Sequence, residues 1–307
     1  MLFHLHLLLP LATLTIITLA SPLLSRQQSC NGSPSLCSRQ YSNVSLIGTH
    51  GSAFIGSILD PRVNQEKTVT QQLDAGIRFL QAQVHEFAGG LRMCHTSCLL
   101  LDAGTLEEYS RPVKEWLDGH PDDVVSMLLV NSDSRPASDF DAVFSAIGLK
   151  DLAFAPASSP ATLALDAWPT YGELIATNKR FIVFLDTGAN TPTIDYILPE
   201  FDYFFETPFD TTDPTFNQCA LDRPTGSSPE GKMYIANHFL DKKVLFDEVL
   251  VPDNDADFKT NAATGEGSIG AQADLCEGIY GRVPNVVLVD MFDRGDVFTA
   301  QRVLNGL

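Results

Sequence analysis

Apolar runs of four to eight residues recur along the chain, at 44–49, 77–84, 91–95, 124–130, 181–186, 202–206, 233–238 and 286–290. Most are near-continuous rather than alternating, as at 124–130 and 181–185. Strands buried on both faces read this way, and they belong to parallel sheets. Segments with helical spacing fall between the runs, at 68–75, 105–118, 139–148, 170–178 and 296–304. Thr105 and Glu108 form a capping-box signature, and Gly76 is placed to end the first helix. Eight strands alternating with helices predict an α/β fold, an irregular (β/α)8 TIM barrel. The irregularity lies between the second and third strands, where the connection is too short for a helix. Two polar stretches rich in Pro, Thr and Gly, 207–232 and 252–275, read as long functional loops.

Composition allows such a core: of 307 residues, 44% are hydrophobic and 19% charged. The net charge of −18 argues against nucleic acid and anionic membrane surfaces as partners, leaving neutral lipids and sugars open. Residues 1–20 are almost continuously apolar and end in small residues, which predicts a signal peptide cleaved after Ala20 and an extracellular, secreted protein, although the segment lacks Lys and Arg. The six cysteines then imply disulfides. Fifteen pairings are possible; proximity favours Cys30–Cys37 and Cys94–Cys98, leaving Cys219–Cys276. Residues 21–40 are expected to form a disulfide-linked extension ahead of one catalytic-size domain, 41–307. Sequons at Asn31 and Asn43 predict a glycoprotein. No helix rich in Lys and Arg on one face appears, so membrane contact is expected to be peripheral at most, and the protein a monomer.

The predicted strand tips carry a polar set: His50, Gln81, Gln83, His85, His95, Asn131, Asp186, Glu206, Asn237, His238 and Asp290. Polar groups at one end of a parallel barrel converge on one mouth, where such folds place their chemistry. His50 and His95 suit acid–base work, because imidazole titrates near neutral pH.

Thr49-His50, the strand beginning Gly76-Ile-Arg-Phe, Cys94-His95 and Leu288-Val-Asp290 resemble the phosphatidylinositol-specific phospholipase C superfamily, and most closely its fungal secreted PLC-like phosphodiesterases. The resemblance spans roughly residues 40–307. It implies that His50 is the general base that activates the inositol 2-hydroxyl, and that His95 is the general acid that protonates the departing glycerol oxygen. It implies further that Asp290 orients His50, the part Asp plays in a Ser-His-Asp triad.

The departures from that pattern matter as much. Where bacterial members follow the first histidine with Asp, and animal members with Asn, this chain has Gly51. Where the second strand carries Arg or calcium-binding carboxylates, it has Gln81 and Gln83. A phosphorane-like transition state gathers negative charge that something must offset. Protonated His85, His238, or a calcium or magnesium ion held by Asp186 and Glu206 are the candidate replacements; otherwise there is none, and no cofactor is the leading expectation. Asn131, with Gln81, Gln83, His85, Asp186, Glu206 and His238, is expected to bind substrate.

The leading expectation is a secreted phosphoric diester hydrolase that cleaves a lipid or polyol phosphodiester and binds a phospholipid headgroup. The alternative is a weakly active or inactive barrel that binds a sugar phosphate or lipid headgroup.

Overall fold

The computed structural model describes residues 1–3, 29–245 and 249–307. The expected signal peptide, apart from its first three residues, and the first part of the 21–40 extension lie outside the described residues.

Among the described residues there are twelve strands: β1 (Leu46–Thr49), β2 (Phe79–Phe87), β3 (Gly90–Cys94), β4 (Asp102–Thr105), β5 (Val125–Asn131), β6 (Phe181–Leu185), β7 (Ile197–Pro199), β8 (Phe204–Glu206), β9 (Met233–Asn237), β10 (Asp241–Val244), β11 (Val249–Pro252) and β12 (Val286–Val289). Eight of them run parallel in the order β7-β6-β5-β2-β1-β12-β9-β8, a curled barrel whose seam between β7 and β8 carries no ladder. This is the irregular barrel that the apolar runs predict.

The alternation along each strand explains those runs. In β6, Phe181, Val183 and Leu185 pack outward with helix residues such as Phe140 and Phe144. Ile182 and Phe184 point inward with Phe79, Leu128, Phe204 and Leu288. Both faces are dry, so both parities are apolar. A Phe buried on either face contributes about 1.5–3 kcal/mol.

Three expectations are corrected. The 91–95 run is not a barrel strand. It forms β3, which pairs antiparallel with the upper half of β2 and with β4. The turn between β2 and β3 uses left-handed Ala88 and Gly89, which leaves no room for a crossover helix. The eighth barrel strand is instead the three-residue β7, hidden by its shortness. The 202–206 run divides into a helical turn, Glu200–Tyr203, and β8. The 252–275 stretch is not one long loop: a helix covers Ile269–Tyr280, capped by Ser268. At Gly270 a Cβ would lie 2.2 Å from the Ala263 carbonyl oxygen, so the close approach explains that helix's glycine. A hairpin, β10–β11, stands between the two stretches read as loops, where the pattern predicts no element.

The helices that the spacing predicts are found within a residue or two: Val69–Ala75, Leu106–Gly119, Ala137–Ala146, Tyr171–Ala176 and Val297–Leu304. The capping box at Thr105 and Glu108 is formed, and Gly76 ends its helix at φ 119°. The three disulfides are Cys30–Cys37, Cys94–Cys98 and Cys219–Cys276. The last ties the 207–232 loop to the Ile269–Tyr280 helix. Among the described residues, no helix is long and apolar enough to cross a membrane.

Candidate active site

A cavity of about 430 Å³ opens at the C-terminal ends of the barrel strands, lined by His50, Asn64, Gln81, Gln83, His95, Glu206, Asp210, Arg223, Phe239 and Asp241 among others. His50 follows β1 directly, and its N–H continues the ladder to the Val289 carbonyl at 3.0 Å. Its Nδ1 lies 2.9 Å from Asp290 Oδ1. A carboxylate only accepts, so Nδ1 carries the proton and Nε2 is left for the cavity. Phe239 stacks on the imidazole at 3.7 Å between ring centroids, only 6° from parallel.

His95 arrives differently. The β2–β3 hairpin lifts it above the barrel, and the Cys94–Cys98 bridge closes the turn around it. Its Nδ1 donates to the Arg62 carbonyl at 2.7 Å, and Phe54 stacks on the ring. Nδ1 is thus again the protonated nitrogen, and Nε2 the free one.

The two rings are tuned in opposite directions. Burial disfavours charge on His50, but the charge and hydrogen bond of Asp290 outweigh it and hold the imidazole above its ordinary value. Burial, with the nearby His50 adding to it, lowers His95.

Gln81 and Gln83 face the cavity, and each also braces one histidine loop. Gln81 Oε1 accepts from the Gly51 N–H at 2.9 Å. Gln83 Oε1 accepts from the Thr96 N–H at 2.8 Å. Gly51 has φ +53°, and a Cβ there would lie 2.3 Å from Asn64 Oδ1. The space beside the first histidine is therefore filled from elsewhere. Asn64 donates through Nδ2 to Asp290 Oδ2 at 3.1 Å and sits 3.3 Å from His50 Nδ1.

Glu206, at the end of β8, is buried and holds Arg223 through Nε at 2.9 Å and through Nη2. Backbone bonds between Glu206 and residues 222–223 pin the arginine to the strand. Burial works against the Arg223 charge, but Glu206, Glu200 and Asp186 overcome it and keep the guanidinium firmly protonated. Glu200 is pushed well above the ordinary carboxylate range by burial first and by Glu206 second. Asp241, also on the cavity wall, is raised to about 7 by burial and then by the charge of Asp290.

Four of the residues expected to bind substrate do not line this cavity. His85 has the same strand parity as Gln81 and Gln83, but it lies in the hairpin portion of β2 and faces Asp133 at 3.4 Å. His238 is fully buried, with its nitrogens on Gln272 Oε1 at 2.6 Å and the Thr260 carbonyl at 2.8 Å. Asn131 is spent on the backbone of Arg135 and Thr187. Asp186 accepts from the Asn131 N–H at 2.8 Å. The pairing of Asp186 with Glu206 as a cation site is also weakened, because Arg223 already neutralises Glu206. Among the described residues no group of three or more His, Cys, Asp or Glu stands close enough to hold a metal ion.

Arg223, Asn64 and Asp241 escape a reading by strand tips. Arg223 comes from the polar 207–232 loop, whose length was the one signal available.

The PI-PLC X 1 family model matches residues 36–305. A protein named PI-PLC X domain-containing protein 1 from Arthroderma benhamiae is 52% identical over 280 residues, covering 91% of this chain and 90% of that protein. A second protein of that fungus, named an uncharacterized secreted protein, is 42% identical over 87% of this chain, which spans 61% of its length. Among solved structures, the phosphatidylinositol-specific phospholipase C of Listeria monocytogenes matches with a TM-score of 0.54 at 12% identity, over 88% of this chain and 95% of that one. The F249X mutant of the Staphylococcus aureus enzyme matches with a TM-score of 0.56 at 12% identity, over 87% and 93%. At such identity these two show the fold. The extent of the family match and the identity of the first relative settle membership: the chain belongs to the PI-PLC X family.

Proposed function

We propose that this protein is an extracellular phospholipase C-like phosphodiesterase acting on a lipid or polyol phosphodiester, and that no metal ion takes part. The observation that carries the reading is the contact of Asp290 with His50, which lines the same cavity as His95. His50 Nε2 takes the proton of a hydroxyl adjacent to the phosphate. That oxygen bonds to phosphorus while the bond from phosphorus to the glycerol oxygen breaks. His95 Nε2 gives the leaving oxygen its proton, and a cyclic phosphodiester results. Arg223 offsets the charge on phosphorus. The family supports this class of chemistry, and the three disulfides and the secreted relative support an extracellular site. The test is turnover of phosphatidylinositol in mixed vesicles, with and without EDTA. Turnover that survives EDTA is expected, and turnover that needs added calcium overturns the metal-free scheme.

The opposed tuning of the imidazoles has a consequence for pH. The competent state needs His50 neutral and His95 protonated. Their shifts favour the reverse, so kcat/KM rises through the His95 titration below 6.5 and falls through the His50 titration above it. The two limbs belong to the pair as a whole. Asp290→Asn removes the charge that raises His50, so the alkaline limb moves to lower pH. Loss of the orienting carboxylate also costs about 10²- to 10⁴-fold in kcat/KM. An unmoved alkaline limb in Asp290→Asn tells against the assignment of His50.

The second reading, a headgroup-binding barrel without turnover, is favoured by the absence of charge on Gln81 and Gln83. It predicts saturable binding of inositol phosphate with no product under any condition.

The cavity mouth is rimmed by apolar side chains that water reaches: Leu100, Phe209, Val249 and Leu250. Leu99 next to Leu100, and Leu245 at the end of β10, are 88% and 69% exposed. With a net charge of −18, contact with a bilayer rests on apolar burial rather than on attraction to anionic headgroups. Leu99→Asp with Leu245→Asp is expected to weaken vesicle partitioning by about tenfold or more, given about 1.5–3 kcal/mol per fully buried Leu. Cosedimentation that is unchanged by the pair excludes this docking face.

A further inference from the structure

We propose that Asn43 is the residue that carries the N-linked glycan of this protein in its folded form, and that Asn31, although it stands in an equally good sequon, is bare in every chain that completes this fold. The inference rests on the extracellular placement proposed above. Both sequons, Asn31-Gly-Ser33 and Asn43-Val-Ser45, present the same chemistry in an unfolded chain. The fold separates them.

Asn31 uses one edge of its amide to read a backbone residue. Its Oδ1 accepts from the Val124 N–H at 2.7 Å, and its Nδ2 donates to the Val124 carbonyl at 3.2 Å. Val124 immediately precedes β5, so this pair fastens the Cys30–Cys37 loop to the barrel floor. The hydrogen that meets the Val124 carbonyl is the one lying on the same side of the amide as Oδ1. A glycosylated asparagine is a secondary amide, planar and trans. In that geometry the sugar C1 takes the place of this same hydrogen. A glycan on Asn31 therefore drives a ring carbon against the Val124 carbonyl oxygen, well inside van der Waals contact. A chain so modified must give up the pair with Val124 in order to fold.

Asn43 has none of these commitments. Its side chain is exposed and makes no hydrogen bond among the described residues. It lies just ahead of Val44 and β1, at the N-terminal end of the barrel strands and so opposite the cavity of His50 and His95. A second cavity of about 630 Å³ opens there, with Asn43, Leu165, Asp166 and Arg282 among its walls. A sugar on Asn43 has solvent before it and leaves the catalytic mouth clear. Ser45 is buried in the folded protein, with its Oγ on the Pro284 carbonyl at 2.6 Å. The modification therefore precedes folding, while the sequon is still extended. In that step Asn43 Nδ2 bonds to the anomeric carbon of a lipid-diphosphate-linked oligosaccharide. The bond from that carbon to the diphosphate oxygen breaks, the lipid diphosphate leaves, and Nδ2 loses one proton.

The experiment is secretion of the full chain from a glycosylating eukaryotic host, followed by enzymatic deglycosylation in heavy-oxygen water and peptide mapping. The expected result is label at Asn43 and none at Asn31. Ser33→Ala, which abolishes the first sequon but keeps the Asn31 amide, is expected to leave the glycoform pattern unchanged. Asn43→Gln is expected to remove all N-linked carbohydrate from a protein that still folds. Sugar on Asn31 in the folded secreted material, or an empty Asn43, overturns the proposal. A parallel arm with a host leader ahead of residue 21 exports the same chain. Failure of the native segment to direct export is then read separately, as evidence against the extracellular placement.

Discussion

His50→Ala and His95→Ala are each expected to lower kcat/KM on phosphatidylinositol by about 10²- to 10⁴-fold, the usual worth of one positioned acid or base. The two positions differ in what they leave behind. His50 sits over a buried Asp290 that keeps Asn64 as a donor at 3.1 Å when the imidazole is gone, so that carboxylate is weakened but not orphaned. His95 releases only the Arg62 carbonyl, which water can reach. Both variants should therefore fold, and thermal unfolding monitored by circular dichroism checks that they do. The double variant should cost little more than the worse single one, because a base without its acid completes no turnover. Full additivity, or survival of activity in either single variant, means that the imidazoles do not act as a pair. Loss of turnover without loss of inositol phosphate binding is the pattern expected if they do chemistry rather than hold the ligand.

Arg223→Gln is expected to lower kcat/KM by about 10²- to 10³-fold, the typical cost of losing one preorganised donor to developing charge. Glu206 complicates that variant, since it would remain buried with Asn237 as its nearest side-chain donor, at 3.2 Å. An unpaired buried carboxylate destabilises by about 3–5 kcal/mol. Glu206→Gln with Arg223→Gln removes both charges, and should recover stability without recovering rate. Arg223→Lys keeps a charge but loses the planar fork, and should fall between the two. If the stable double variant turns over like the parent, the charge on phosphorus is met by another group and the scheme fails at that point. If the parent itself never turns over, the headgroup-binding reading takes its place.

The barrel was legible because its strands are dry on both sides. Ile182 and Phe184 fill the interior while Phe181, Val183 and Leu185 meet the helices, and a run with no polar position is the result. Strand direction is not written in such a run, so β3 reads like any other barrel strand although it runs antiparallel. β7 has too few residues to register at all. The Ile269–Tyr280 helix is masked by Gly270 and Gly278, the first of which is required by the Ala263 carbonyl rather than by any turn. In the site, residues fixed to strand ends could be anticipated: His50, Gln81, Gln83, Glu206 and Asp290. His95 was anticipated at the tip of a barrel strand and through the resemblance at Cys94-His95, but it reaches the mouth from an antiparallel hairpin. His238 and His85 share the same chemistry on paper, but Gln272 and Thr260 enclose one, and Asp133 draws the other aside. Arg223 became visible only in space, because nothing in its loop announces a partner seventeen residues earlier.

The glycine behind His50 bears on how relatives of this chain should be compared. Asn64 reaches back fourteen residues to occupy ground that a side chain at 51 would need. Column-by-column inspection scores the chain as missing a polar neighbour that it in fact possesses. The two positions are mutually exclusive tenants, so restoring a carboxylate at 51 demands a smaller residue at 64 in the same step. An ancestor could pass between the two arrangements only by changing both.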